Sequence, residues 1–154
     1  MRGMDAPSLP AARPAHLGWR LLALVYDALP NIAIWFAVSA VGLLLRPGHA
    51  AFAAWSAGQW ALWGVCWAIS GLYAVHAWRR GGTLGMRPWR LRVIADDGGP
   101  ATTARLWLRY AVATLSLLAA GLGFVPALFD ARRRALHDVV AGTMLVRIGG
   151  GDSA

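Results

Sequence analysis

Between Leu17 and Leu45 the chain carries only two charges, Arg20 and Asp27, and from Ala28 to Leu45 it runs 18 residues with none. A transmembrane helix needs about 20 mostly apolar residues, so this stretch is long enough to cross a bilayer. An ionisable group at a helix centre costs on the order of 3 kcal/mol on insertion scales, so it marks a function or a buried partner. The spacing puts Arg20 and Asp27 about 20° apart around a helix and about 10 Å apart along it. Asn31 extends the same polar line. That face of the helix must meet protein or water, not lipid.

The rest of the composition agrees with this reading. Across 154 residues the hydrophobic content is 58% and only 14% are charged, with a mean hydropathy of +0.49. The length suits one compact unit of a few spans. All basic residues are Arg and all acidic ones are Asp, giving a net charge of +8. Most Arg residues flank apolar runs, so the electrostatic partner expected is the anionic headgroups of a lipid bilayer and not nucleic acid. Cys66 stands alone, which excludes a disulfide framework or a cysteine-based zinc site within one chain and suggests a small buried core residue.

Residues 1–16 are polar and broken by Pro7, Pro10 and Pro14; they are expected to form a disordered tail, and no secretory signal is expected. The membrane domain is expected over 17–148, with 149–154 a flexible Gly-rich end. The first span should stop at Arg46-Pro47-Gly48, with Pro30 loosening it beside Asp27. A second span is expected over 50–78, closed by Arg79-Arg80-Gly81-Gly82. The third apolar run, Tyr110 to Phe129, is interrupted by Gly121, Gly123 and Pro126. The expected class is thus an all-α membrane protein with about three hydrophobic helical segments, the third broken or re-entrant. Leu91–Ile94 and Thr143–Ile148 are β-rich, and a short two-stranded element outside the bilayer is expected from them.

Arg residues cluster before the first span and in the 79–109 region, whereas the connection near Pro47 offers only Arg46. The positive-inside rule then gives a cytoplasmic N-terminus, a cytoplasmic 81–103 loop and an external Pro47 turn. A full third crossing would place Arg132, Arg133 and Arg134 outside, against the rule. Turning back at Gly121–Pro126 avoids this and lets the two β segments meet; non-helical backbone at such depth must be covered by protein or water.

Three motifs now stand in order. Gly18-Trp-Arg-Leu-Leu-Ala-Leu-Val-Tyr-Asp27 resembles the opening of the RDD family of bacterial membrane proteins, named for one Arg and two Asp. Gly82-Thr-Leu-Gly85 followed by Leu91-Arg-Val-Ile94 resembles that family's loop, and Leu128-Phe-Asp130 through His137-Asp138 to Gly142-Thr143 its closing segment. The resemblance covers about 17–148. It implies a multi-span inner-membrane protein with Arg20 and Asp27 as the family's Arg and first Asp; Asp138 is assigned here as the second. It also implies that the family's molecular role is mostly undefined, with some relatives linked to sodium–proton exchange. The load of Trp60, Trp63 and Trp67 departs from the family pattern.

Asp138 on a cytoplasmic closing segment can reach Arg20 and form a bidentate, partly dry pair. Asp27 lies two turns deeper and needs another donor, for which Asn31, Arg105, Arg109 or one of Arg132–Arg134 are candidates. Two readings of the polar cluster stay open: a clamp that pins the first helix to the closing segment, in a structural or assembly partner of membrane proteins, and a carboxylate exchanging a proton or cation in a transporter subunit. Either reading allows a homo-oligomer. His137 beside Asp138 has no second ligand at helical spacing, so no metal is expected. No cofactor motif and no nucleophile–base pair is present, so no enzyme activity is expected. Ser56, Gln59, Trp63, Cys66, Ser70 and Tyr73 fall on one helix face, read as a packing seam with Gly64 and Gly71 beside it.

Overall fold

A computed structural model describes residues 12–149. Helix α1 spans Leu17–Leu44 as one uninterrupted helix with Pro30 inside it. A 3-10 turn over Pro47–His49, with Gly48 at φ 67°, reverses the chain. Helix α2 spans Ala57–Arg79, and it begins later than residue 50 because Ser56 caps it, its side chain accepting from the Gln59 N–H at 3.2 Å. Among the described residues, α1 is the one helix long and apolar enough to cross a membrane by length and composition, and only Arg20 and Ala23 within it are buried.

Strand β2 covers Leu91–Ala95 and helix α3 Thr103–Leu118, capped by Thr102. At 16 residues and 1.5 Å per residue, α3 is about 24 Å long, short of a ~30 Å hydrocarbon core. Past Leu118 the chain doubles back. Gly121 takes a left-handed φ of 79°, and Gly123 lies so close to Ser116 that any β-carbon there would overlap its side chain. A short helix, α4 over Pro126–Phe129, starts on the proline; α5 follows over Leu136–Ala141, and Gly142 at φ 60° ends it. The Gly-Pro break therefore turns the third apolar run into a helix and a return segment rather than a single helix.

Strand β3, Thr143–Ile148, pairs antiparallel with β2, Val93 facing Leu145. Among the described residues the sheet has three strands rather than two, in the order β1-β3-β2. The extra strand, β1, is Ala12–Pro14, paired with β3 so that Arg13 faces Arg147. This corrects the expected tail over 1–16: residues 12–14 are an edge strand, and Ala15 is buried and donates its N–H to the Leu145 carbonyl at 3.0 Å. Edge position is what lets Pro14 join a ladder without an N–H of its own. The rest of that tail, residues 1–11, and residues 150–154 lie outside the described residues. The fold is mostly helical with this small sheet, not all-α.

One sheet thus gathers the N-terminal flank, the α2–α3 connection and the C-terminal strand at one end of the helices. The core lies there: Leu91, Val93 and Leu145 from the sheet meet Ala23, Val75 and Leu106 from the helices, flanked by Trp19, Trp78 and Trp89. Beyond it the helices touch each other but keep large apolar side chains exposed, among them Leu29, Ile32, Phe36 and Leu72. An exposed apolar surface of this extent is the mark of a lipid or protein interface.

The α2 seam packs as expected in its second half. Cys66, Ser70 and Gly71 are buried; Ser70 accepts from the Trp35 indole N–H at 2.9 Å, and Gly71 makes room for Trp107 and Tyr110. Gly64 has nothing near it, and Trp63 is exposed, edge-to-face with Trp55 and Trp60.

Candidate functional site

Asp138 is fully buried. It sits in the first turn of α5, where its carboxylate also accepts the Ala135 N–H at 3.1 Å. Arg20 Nη1, from the first turn of α1, donates to one carboxylate oxygen and Arg109 Nη1, from α3, donates to the other. The Arg20 guanidinium is further held by the Arg133 carbonyl, 2.9 Å from Nη2, and by the Ala15 carbonyl, 3.4 Å from Nε. Arg109 also donates to Thr143 Oγ1 at 3.2 Å and lies 5.2 Å from the Trp78 ring centroid, a cation–π distance. One carboxylate therefore joins α1, α3 and α5 at the end of the helices where the sheet lies.

Charge counting shows why the arrangement is tight. Two guanidiniums and one carboxylate leave an excess positive charge in a site from which water is nearly excluded. His137 does not add to it. Burial, reinforced by Arg109 and Arg20, pushes its imidazole down to about 2, so it is neutral at ordinary pH. Its Nδ1 and the Arg109 Nε are buried without a hydrogen-bond partner among the described residues.

Asp27 takes no part in this cluster. One of its oxygens accepts from the Thr83 hydroxyl at 2.5 Å and the other from the Gly85 N–H at 2.8 Å. Both donors belong to the Gly82-Thr-Leu-Gly85 loop, which Tyr73 also secures through the Leu84 N–H at 3.2 Å. Gly85 is required by proximity: a β-carbon there would lie 2.8 Å from Asp27 Cγ and closer still to the Ala23 carbonyl. None of the donors expected for Asp27 serves it. The Asn31 side chain binds the Asp27 backbone carbonyl at 2.7 Å. Arg105 reaches the Gly142 carbonyl, and Arg109 is held by Asp138. Arg132 and Arg133 are exposed. Arg134 pairs with Asp130 at 3.0 Å and with Asp96 at 3.4 Å, and its hydrogen bonds hold the Asp130 carboxyl below the usual range.

The expected Arg20, Asp27 and Asp138 cluster is thus two sites: Arg20–Asp138–Arg109, and Asp27 with Thr83 and Gly85. The sequence reading missed Arg109 as a partner of Asp138, though it is the last charge before a 20-residue uncharged run. It also missed Thr83 and Gly85, which lie inside a motif it had singled out. Among the described residues no three His, Cys, Asp or Glu side chains gather as a metal site would require.

The chain is thus a small helical domain with a charge-clamped sheet end and, among the described residues, one helix apolar enough to cross a membrane. The model of the RDD family matches residues 14–142, most of the chain, and the chain belongs to that family. No curated protein and no solved structure matches it.

Proposed function

We propose that this RDD protein is a multi-pass component of the bacterial inner membrane, with a cytoplasmic N-terminus, that acts as a structural or assembly partner of other membrane proteins or of further copies of itself, and not as an enzyme. The observation that carries this reading is the full burial of Asp138 between two arginines. A carboxylate held by two guanidiniums stays ionised and cannot cycle its charge cheaply, whereas it is well suited to fix three helices in one arrangement. The exposed apolar faces of α1 and α2 supply the contact surface for lipid and partner helices. In this reading α1 and α2 cross the bilayer, α3 re-enters it, and the sheet lies on the cytoplasmic side, where anionic headgroups meet the arginines.

A second reading, cation or proton exchange, is favoured by Asp27, a half-buried carboxylate with no cationic partner among the described residues. Cation-driven proton flux in proteoliposomes separates the two. The structural reading expects wild-type protein to give no flux above empty vesicles. Flux that Asp27→Asn abolishes in a stably folded protein would establish exchange instead.

A further inference from the structure

We infer that the cleft between the first half of α1 and the chain returning from α3 binds a single anionic phospholipid, with an acyl chain in the cleft and the phosphate at Arg132 and Arg133. This rests on the membrane reading above but not on the choice between scaffold and exchanger. The cleft has a volume of 410 Å³ and is lined almost wholly by apolar side chains, among them Leu17, Leu21 and Leu24 on one wall and Leu117, Phe124 and Leu128 on the other. That volume falls within the roughly 300–1,000 Å³ typical of small-molecule sites. The leucines on α1 recur at helical spacing, so the cleft runs along the helix axis, the direction of an acyl chain in a bilayer.

The charge at one end selects the headgroup. Arg20 on the first turn of α1 grips the Arg133 carbonyl, so the Arg133 backbone lies within one arginine side chain of the turn that holds Leu17. Arg132 follows Leu128, on the opposite wall, by four residues. Both arginines are exposed, and neither makes an ion pair among the described residues, whereas Arg134 is taken up by Asp130 and Asp96. Two exposed arginines on the segment that leaves the apolar cleft after Leu128 match a phosphate carried on an acyl chain. A second copy is the weaker occupant. A two-fold contact through this cleft would bring both pairs of arginines together, in a chain already at +8.

The test is native mass spectrometry of the full chain released from micelles doped with equal dioleoyl phosphatidylglycerol and dioleoyl phosphatidylcholine. The expected spectrum shows one bound lipid, with phosphatidylglycerol favoured by roughly thirtyfold, the order two arginines at an anionic phosphate supply. Arg132→Gln/Arg133→Gln should keep a bound lipid but lose the preference. Leu117→Trp, with Leu24→Trp as an independent blocker on the other wall, should remove the adduct. Equal retention of both lipids by wild-type protein, or phosphatidylglycerol adducts unaffected by either blocker, would overturn the site. A lipid-free dimer that either blocker dissociates would overturn it in favour of a second copy. A chain that is soluble without micelles would instead overturn the membrane reading beneath it.

Discussion

Arg20 and Asp138 are hydrogen-bonded across 118 positions of sequence, joining the first turn of the first helix to the last helix of the chain. Because Arg109 shares the same carboxylate, the three residues are not equivalent. Removing Arg20 or Arg109 leaves Asp138 with one cationic partner; removing Asp138 leaves two buried guanidiniums with no counter-charge. Breaking a buried pair costs about 3–5 kcal/mol. Asp138→Asn should therefore be the most damaging single change, and Arg20→Ala combined with Asp138→Ala should be far less than additive. Denaturant titration in detergent measures both, and simple additivity would contradict the pairing.

The Asp27 site should behave as a loop anchor. Thr83 is almost fully buried, and its hydroxyl bond to a carboxylate is of the kind worth about 1.5–3 kcal/mol. Thr83→Val should cost about that much, while Gly85→Ala, whose added carbon meets α1 backbone, should cost at least the 1–3 kcal/mol typical of overpacking. Thermal melts of the two variants check the order; a Gly85→Ala protein as stable as wild type would show that the loop does not lie against Asp27.

Acid should weaken the protein in a window set by His137. Its pKa is about 2 when folded and near 6.5 when exposed, so the unfolded chain binds the extra proton. The contribution is complete above pH 6.5 and is lost as pH falls, by up to about 1.4 kcal/mol per unit. Asp130, whose folded carboxyl is depressed, loses its contribution only below the ordinary carboxylate range. His137→Phe should flatten the stability curve between about pH 6.5 and 4.5 and leave the more acidic limb in place. An unchanged slope would show that the imidazole is not buried neutral.

Topology follows from the shared sheet. In a Cys66→Ser background, cysteines at Gly98 and Gly149 should label from the cytoplasmic side and a cysteine at Gly48 only from the other. Labelling of Gly98 and Gly149 from opposite sides would require α3 to cross the membrane fully and would dismantle the β2–β3 pairing.

What could be read from the sequence was local. The charge-poor run of α1, the glycine–proline break after Leu118 and the pairing of Leu91–Ile94 with the closing strand each rest on a pattern of neighbouring residues. β1 escaped because Ala12-Arg13-Pro14 has no strand pattern and is held only by the partner it finds in β3. The partners of Asp27 escaped for a similar reason. A threonine and a glycine N–H become donors only after the Gly82–Gly85 loop folds against α1, whereas arginines advertise themselves in any sequence. Arg109 was visible but assigned to the wrong acid, since nothing in the chain says that α5 returns to α3.

If the buried charges hold the helices together and do nothing that requires charge, as proposed, apolar side chains can replace all three. Stability of the triple variant Arg20→Met/Arg109→Met/Asp138→Leu, measured beside Asp138→Leu alone, tests it most directly. Replacing a whole buried ion group by apolar side chains is often neutral or stabilising, whereas stripping one partner costs about 3–5 kcal/mol. The triple variant should recover more than half of the stability lost by the single one, express normally and keep the oligomeric state of wild type. A triple variant as unstable as Asp138→Leu, or one that folds but loses its assembly partners, would contradict it.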